Sequence, residues 1–195
     1  MKTKILALCG SLRKDSLNRQ MLRVAAQGAI DAGGEVTYID LGEYPMPFYC
    51  ADAEAESGLP TAARKLQIQI AQSHALLIAS PEYNGGYTAV LKNTIDWVSR
   101  PQPDGVSGTA LYAGKVAAVI SASPGPLGGL RSQTALRTVL EKLGMLVIPE
   151  SFALGHAHEA WFESGELKEV AVARAISDVG RALQRVASRV SVRAD

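Results

Sequence analysis

Apolar and polar positions alternate along the chain in blocks that predict strands and helices in turn. Short apolar runs typical of buried parallel strands cover residues 4–9, 36–39, 75–80, 115–121 and 145–148. Apolar side chains at helical spacing predict helices over 19 to about 32, 61–72, 88–99, 130–143 and 167–193. Strands and helices that alternate in this way form a parallel sheet with helices on both faces. We therefore expect one α/β domain over residues 1–195, a three-layer α/β/α fold with a doubly wound parallel five-stranded sheet.

Two segments follow neither pattern and are predicted to be irregular. Residues 41–57 contain Pro45 and Pro47, which exclude a regular helix, and acidic side chains that favour solvent. The apolar side chains between Tyr44 and Tyr49 predict that this segment covers the core, with contact to a partner chain as the alternative. Residues 151–164 form the second irregular segment.

Composition and charge exclude several classes of protein. The formal net charge is +1 over 195 residues, and no basic tract is interleaved with aromatic residues, so a nucleic-acid partner is not indicated. No apolar run is long enough to span a membrane, and no signal pattern is present, so a cytoplasmic protein is expected. Cys9 and Cys50 are too few for a disulfide framework and lack metal-ligand spacing; Cys9 is expected to be packed and Cys50 exposed.

The turn after the first predicted strand carries side chains that suit a phosphate. Ser11 and Ser16 supply hydroxyls, Asn18 supplies an amide, and Arg13 supplies a charged fork. The helix that follows adds oriented N–H groups and a favourable dipole. The alternative is an ordinary helix start capped by Ser16 or Asn18, but capping alone does not require this combination. The turn therefore predicts an anion site.

The turns after the third and fourth strands suit a flat polar ring. Residues 81–86 place Glu82, Tyr83 and Asn84 between a proline and two glycines, and their backbone N–H groups can face ring carbonyls and nitrogens. The alternative is a tight turn that only connects strand to helix, which explains the proline and glycines but explains the polar run between them less well. Residues 121–129 are rich in serine and glycine and leave room for a ring edge; a plain flexible linker explains them equally well. If the strand order is 2-1-3-4-5, all of these turns border the switch point where ligands bind.

A phosphate site beside a flat polar ring predicts a mononucleotide or flavin mononucleotide. A dinucleotide is less favoured because no G-x-G-x-x-G follows the first strand, and Asp40 alone is weak support. No G-x-x-x-x-G-K-[ST] sequence is present, so NTP hydrolysis has no support.

These residues resemble the NADPH-dependent FMN reductase family, which is flavodoxin-like and includes quinone, chromate and azo-dye reductases. The resemblance lies in Gly10–Arg13 with Ser16 and Asn18, in residues 80–84, and in residues 91–93 and 95–97. Gly128, Gly129, Gln133, Leu136 and Arg137 are also similar. The resemblance covers about three quarters of the chain.

The resemblance implies which residues contact FMN. The phosphate would be held by Ser11, Arg13, Ser16, Leu17 and Asn18. The isoalloxazine ring would be held by Pro81, Glu82, Tyr83, Asn84 and Gly85, with Ser121 near its far edge. The family also implies a homodimer or homotetramer; the helix that carries Trp97 and the segment between Tyr44 and Tyr49 are candidates for the contact, and core packing is the alternative for Trp97.

The resemblance also implies a mechanism. NADPH, or NADH, passes hydride to flavin N5, and a quinone, free flavin or similar small-molecule acceptor then takes the electrons at the same face in a ping-pong cycle. Arg100 or Arg131 is a candidate to contact the 2′-phosphate of NADPH. No side chain is assigned as a catalytic acid or base, and His156 and His158 are too few ligands for a metal site.

Two other functions remain open from the sequence. A flavodoxin-type electron carrier is the first, although such carriers are usually strongly acidic and this chain is nearly neutral. A nucleotide-binding module without turnover is the second.

Overall fold

The computed structural model describes residues 2–191, which form a six-stranded parallel sheet between two layers of helices. The strands are β1 (Lys4–Cys9), β2 (Glu35–Asp40), β3 (Ala75–Ala79), β4 (Val116–Ala122), β5 (Leu146–Val147) and β6 (Phe152–Leu154). The helices are α1 (Leu17–Asp31), α2 (Ala51–Ser57), α3 (Thr61–Ala71), α4 (Ala89–Val98), α5 (Leu130–Lys142) and α6 (Val170–Ser191).

The order β2-β1-β3-β4-β5 confirms the predicted doubly wound, flavodoxin-like topology. Every residue of β3 and β4 is buried, because helices cover both faces of the sheet centre. The edge strand β2 has a single buried residue, Ile39. Side chains of alternate strand positions enter two cores, one under α1 and α6 and the other under α3, α4 and α5.

Helices α1 and α6 cross at close range through glycines. A Cβ atom at Gly28 would overlap the backbone of Ser177, and one at Gly180 would overlap the backbone of Ala25. Two arginines of α6 form ion pairs at the surface, Arg181 with Asp31 at 3.5 Å and Arg185 with Glu150 at 3.3 Å. The predicted helix end at residue 193 lies outside the described residues.

The two segments predicted to be irregular each contain a regular element. Residues 51–57 form α2. This stretch contains no proline, since Pro45 and Pro47 precede it, and Asp52 and Glu54 lie in the first turn, where the helix dipole favours acidic side chains. Residues 152–154 form β6, which continues along β4 where β5 ends, with Ile120 opposite Phe152. Pro149, which has no N–H group, lies between the two short strands. This sheet edge therefore consists of two short segments, β5 within the predicted fifth strand and β6 outside it.

Among residues 2–191, no helix is both long and apolar enough to cross a bilayer. The cytoplasmic location stays a prediction.

Candidate functional site

The turns after β1, β3 and β4 lie side by side because these strands are neighbours in the sheet. We call them loop 1 (residues 10–16), loop 2 (residues 80–88) and loop 3 (residues 123–129). Gly10 donates its N–H to Ala79 at 2.8 Å, and Ser80 donates its N–H to Ile120 at 3.1 Å, so strand pairing extends to the start of the first two loops. The three loops therefore form one crevice at the carboxyl edge of the sheet, where doubly wound folds bind ligands.

Loop 1 has the donors that an anion needs. Within the described residues, the backbone N–H groups of Leu12, Lys14 and Asp15 have no acceptor, and those of Leu17 and Asn18 belong to the first turn of α1. The Arg13 side chain is exposed and has no ion pair within residues 2–191. These groups fit a phosphate at the N-terminus of α1.

The serines of loop 1 also have structural roles. Ser16 is the N-cap of α1 and accepts the N–H of Arg19 at 3.2 Å, as the capping alternative predicted. Ser11 is buried and accepts the N–H of Arg13 at 3.3 Å. The phosphate contacts of both serines stay predictions.

Asn18 joins loop 1 to the end of β4. Its side-chain nitrogen donates to the Ala122 carbonyl at 2.7 Å, and its oxygen accepts the Ala122 N–H at 2.9 Å. The side chain is buried and uses both ends of its amide. Asn18 therefore fixes the distance between loop 1 and loop 3, and the predicted contact of its side chain with a phosphate is untested.

Loop 2 contains a tight two-residue turn at Asn84 and Gly85. Asn84 and Gly85 both have positive φ, at 52° and 81°. Tyr83 and Gly86 exchange backbone hydrogen bonds of 2.9 and 3.1 Å around them. Positive φ at both central positions defines a type I′ turn, for which Asn-Gly is the preferred sequence. The turn holds Tyr83 at the rim of the crevice with 57% of its surface exposed.

Glu82 links loop 2 to the N-terminus of α5. Its carboxylate accepts the N–H of Arg131 at 3.1 Å and that of Ser132 at 3.4 Å, and it pairs with the Arg131 guanidinium. The N-cap of α5 is Gly129, which has no side chain, so Glu82 supplies the missing cap. The hydrogen bond from the Arg131 side chain is the largest effect that lowers the pKa of this carboxyl. The side chain thus faces α5, and any contact of Glu82 with a ring would come from its backbone.

Ser121 stabilises loop 3 from beneath. Its hydroxyl donates to the Gly128 carbonyl at 2.7 Å and accepts from the Gln133 side chain at 2.7 Å. The residue is fully buried, and a Cβ atom at Gly129 would come within 2.8 Å of its hydroxyl. The predicted contact of Ser121 with a ring stays a prediction; the structure gives it a positioning role.

Thr88 is a site residue that the sequence analysis missed. It caps α4, and its hydroxyl donates to the Gly10 carbonyl at 2.6 Å, which ties loop 2 to loop 1. A threonine before a helical run signals a cap, but nothing in the sequence shows that its second partner lies 78 positions away.

The segment between Tyr44 and Tyr49 is packed against the chain itself. Tyr44 and Met46 contact the second core, which confirms the predicted core cover. Trp97 is 1% exposed, donates to the Pro47 carbonyl at 2.7 Å and packs against Tyr49 with ring centroids 5.1 Å apart. Trp97 is therefore an internal packing residue, while Phe48 is 81% exposed.

The arginines considered for the 2′-phosphate of NADPH are paired. Arg100 pairs with Glu54 at 2.8 Å, and Arg131 pairs with Glu82. Each would have to leave its carboxylate to bind a phosphate.

The cysteines take the places that the sequence predicts. Cys9 is buried, and burial raises the pKa of its thiol; Cys50 is exposed. His158 is exposed and lies 3.1 Å from Glu159. Within residues 2–191, His, Cys, Asp and Glu side chains form no group of three or more that suits a metal ion.

Comparison with known proteins agrees with this geometry. The family model of NADPH-dependent FMN reductase matches residues 3–159. The chain is 37% identical over 192 residues to an NAD(P)H:quinone oxidoreductase of Solanum tuberosum, covering 96% of this chain and 94% of the relative. It is 36% identical over 154 residues to a 2-hydroxy-1,4-benzoquinone reductase of a Burkholderia species, covering 78% and 79%.

Solved structures show the same fold. The flavoenzyme NAD(P)H:(acceptor) oxidoreductase FerB of Paracoccus denitrificans superposes with a TM-score of 0.79 at 31% identity, covering 96% of this chain and 98% of that one. An archaeal flavodoxin superposes with a TM-score of 0.61 at 10% identity, covering 95% and 99%, which shows the fold alone. The chain therefore belongs to the NADPH-dependent FMN reductase family and is an oxidoreductase with FMN as cofactor and NAD(P)H as electron donor.

Proposed function

We propose that the whole chain acts as one FMN-binding domain that passes electrons from NAD(P)H to a quinone, a free flavin or a similar small acceptor. The observation that carries the proposal is the crevice of loops 1, 2 and 3, which has Arg13 at one end together with backbone N–H groups that have no acceptor within residues 2–191. The phosphate-binding residues proposed are Ser11, Arg13, Ser16, Leu17 and Asn18. The ring-binding residues proposed are Pro81, Glu82, Tyr83, Asn84, Gly85 and Ser121.

When held by the residues of loops 1 and 2, FMN would supply the chemistry of hydride transfer between the nicotinamide and the acceptor. The chain's own contribution is binding and orientation. Loop 1 neutralises the phosphate, and the Asn18, Thr88 and Glu82 hydrogen bonds hold the loops at fixed separation. No side chain of the crevice is needed to move a proton during hydride transfer, so catalysis depends on position rather than on an acid–base pair.

The rim of the crevice supports a flat, partly apolar acceptor. Large side chains from all three loops and from the start of α5 are about half exposed there: Leu12, Tyr83, Leu127 and Leu130. The relatives from Solanum tuberosum and the Burkholderia species are both named as quinone reductases, which favours a quinone as the acceptor. Because donor and acceptor use one open face in turn, we infer a ping-pong cycle.

The assembly proposed is a homodimer or homotetramer. Its support is Phe48, which projects from a segment held rigidly by Asn93 and Trp97 through the Pro47 carbonyl. Aromatic side chains such as Phe are enriched at protein–protein interfaces relative to the rest of the surface. The buried Trp97 supports this surface from inside.

The direct test is the absorption spectrum of the purified protein loaded with FMN. Anaerobic NADPH or NADH should bleach the flavin bands, and a quinone should restore them with steady turnover. A protein that binds no FMN, or binds it and is not reduced by either nucleotide, would contradict the proposal. Single-electron exchange without nicotinamide turnover would instead favour the flavodoxin-type carrier.

A further inference from the structure

A second groove lies beside loop 1, between α1 and the edge strand β2. Cys9, Leu22 and Ile39 line it on the side of the protein interior, and Arg19, Arg23 and Tyr38 line it toward solvent. Tyr38 pairs in register with Ala7 and Ile39 with Leu8, so Tyr38 lies on the α1 face of the sheet. We call this the edge groove.

The edge groove opens at the same rim as loop 1. Arg19 donates to the Ser11 carbonyl at 3.4 Å and pairs with Asp40 at 3.2 Å, and both contacts lie at the carboxyl end of the strands. Arg23 and Gln27 follow at intervals of four residues along α1. Arg19 and Gln27 are thus separated by about 12 Å along the helix axis, since each residue rises 1.5 Å.

The charges of the groove are unequal. Arg19 is neutralised by Asp40 and is held in place by Ser11. Gln27 is held by Asp31 through a 2.8 Å hydrogen bond. Arg23 is exposed and has no ion pair or hydrogen bond within residues 2–191, so the groove retains one guanidinium fork without a partner.

Tyr38 adds an aromatic wall next to that guanidinium. Its surface is 48% exposed. Partial burial raises the pKa of the phenol, and the positive charge of Arg23 opposes that rise, as expected for neighbouring groups. An exposed ring beside a free guanidinium suits a ligand with a flat base and an anionic group.

We propose that the edge groove binds an adenine nucleotide that carries a phosphate monoester, with the base against Tyr38 and the phosphate on Arg23. One source of this chemistry is the 2′-phosphoadenosine end of NADPH, an assignment that rests on the proposed function; the other is a free mononucleotide. In the first case Arg23 selects NADPH over NADH, which lacks the 2′-phosphate. Neither Arg100 nor Arg131 is then required, in agreement with their pairing to Glu54 and Glu82.

The test is equilibrium binding of 2′-AMP and adenosine to the FMN-loaded protein at low ionic strength, where bound FMN occupies loop 1. The variants are Arg23→Gln and, as a matched control, Arg64→Gln, an exposed arginine of α3 on the opposite face of the sheet. Glutamine keeps the helix propensity of arginine, so both variants should fold. FMN content and the far-ultraviolet spectrum check this.

Arg23→Gln should bind 2′-AMP about tenfold more weakly than wild type. The affinity of Arg23→Gln for adenosine, and that of Arg64→Gln for 2′-AMP, should each differ from wild type by less than about twofold. Equal 2′-AMP affinity in wild type and Arg23→Gln would overturn the proposal. Tyr38→Ala should bind both 2′-AMP and adenosine more weakly than wild type does. An unchanged affinity for both ligands would overturn the proposed contact between the base and the Tyr38 ring.

Steady-state kinetics distinguishes the two sources. If the donor is the ligand, Arg23→Gln should raise KM for NADPH about tenfold and leave KM for NADH and kcat unchanged. If KM for NADPH is unchanged while 2′-AMP binding is weakened, the groove binds a free nucleotide. Binding of FMN and 2′-AMP without any NAD(P)H oxidation would contradict the proposed function and leave the groove assignment intact.

Discussion

Glu82 and Arg131 join two loops of the crevice through a shared helix cap. The Glu82 carboxylate, at the start of loop 2, accepts the Arg131 N–H at 3.1 Å and its Nε–H at 2.7 Å, at the first turn of α5. The glycine at the N-cap of α5 leaves this position to a side chain from elsewhere in the sequence. Loop 2 therefore cannot move relative to loop 3 without breaking the cap.

Replacement of Glu82 by glutamine should make stability depend less on pH. Folding lowers the pKa of the Glu82 carboxyl from its ordinary value of 4.5, chiefly through the hydrogen bond from the Arg131 side chain. The stabilisation that the ionised carboxylate gives to the folded protein is therefore complete above pH 4.5 and is lost as pH falls through the lower folded pKa. The free energy of unfolding of Glu82→Gln should be about 1 kcal/mol below that of wild type at pH 7, and this difference should become smaller toward pH 3. Thermal melts at both pH values measure this.

Glu163→Gln is the matched control for that experiment, because Glu163 is exposed and has no ion pair within residues 2–191. It should melt like wild type at both pH values. A Glu82→Gln protein that also melts like wild type at pH 7 would mean that the cap does not stabilise α5.

Arg13→Ala should weaken FMN binding about tenfold or more. A charge-assisted hydrogen bond to phosphate contributes about 1.5–3 kcal/mol, and tenfold corresponds to 1.4 kcal/mol. Riboflavin, which lacks the phosphate, should bind the variant and wild type alike, and Lys14→Ala should change FMN affinity much less. Fluorescence titration gives all of these affinities; equal loss of FMN and riboflavin affinity would remove Arg13 from the phosphate site.

Gly85→Ala should strain the type I′ turn of loop 2. Gly85 has φ of 81°, and among residues 2–191 no heavy atom beyond Gly85 and its two chain neighbours lies within 4 Å of the position that a Cβ would take, so the cost is conformational, about 1 kcal/mol. Gly105 has φ of 83° and equally open surroundings outside the three loops, which makes Gly105→Ala a matched control. Urea denaturation should show a similar decrease in the free energy of unfolding for both variants. Only Gly85→Ala should bind FMN more weakly than wild type. Unchanged FMN affinity in Gly85→Ala would separate the turn from the ring site.

Initial rates with NADPH and a quinone varied together should give parallel double-reciprocal lines. This follows because the nicotinamide must leave the open face before the acceptor can enter. Intersecting lines would show that donor and acceptor bind together and would contradict the ping-pong cycle.

The strands and the three loops follow from local sequence, and the strand order follows from the fold class, whereas the contacts that fix the loops follow from neither. Periodicity is a local property, so β1, β3 and β4 and their terminal turns are predicted correctly from short windows. Asn18 and Ala122 are 104 positions apart, and Glu82 and Arg131 are 49 apart, so only the folded chain brings them together. The sequence indicates polar side chains in the crevice but not which of them are already used.

The missed elements have equally physical causes. Residues 51–57 form a helix too short to show clear periodicity, and Glu54 in it is fixed by Arg100, 46 positions away. Residues 152–154 form a three-residue strand that pairs with β4. Three residues are too few to show an alternating pattern of apolar and polar positions, so this strand is defined by its pairing with β4. Short elements stabilised by distant partners leave little local signal.

A crystal structure of the FMN-loaded protein would show where the cofactor binds. The phosphate should lie within hydrogen-bond distance of Arg13 and the loop 1 amides, with the ring along loop 2 between Pro81 and Gly85. A phosphate bound elsewhere on the protein, or a ring that does not reach loop 2, would contradict the proposed FMN site.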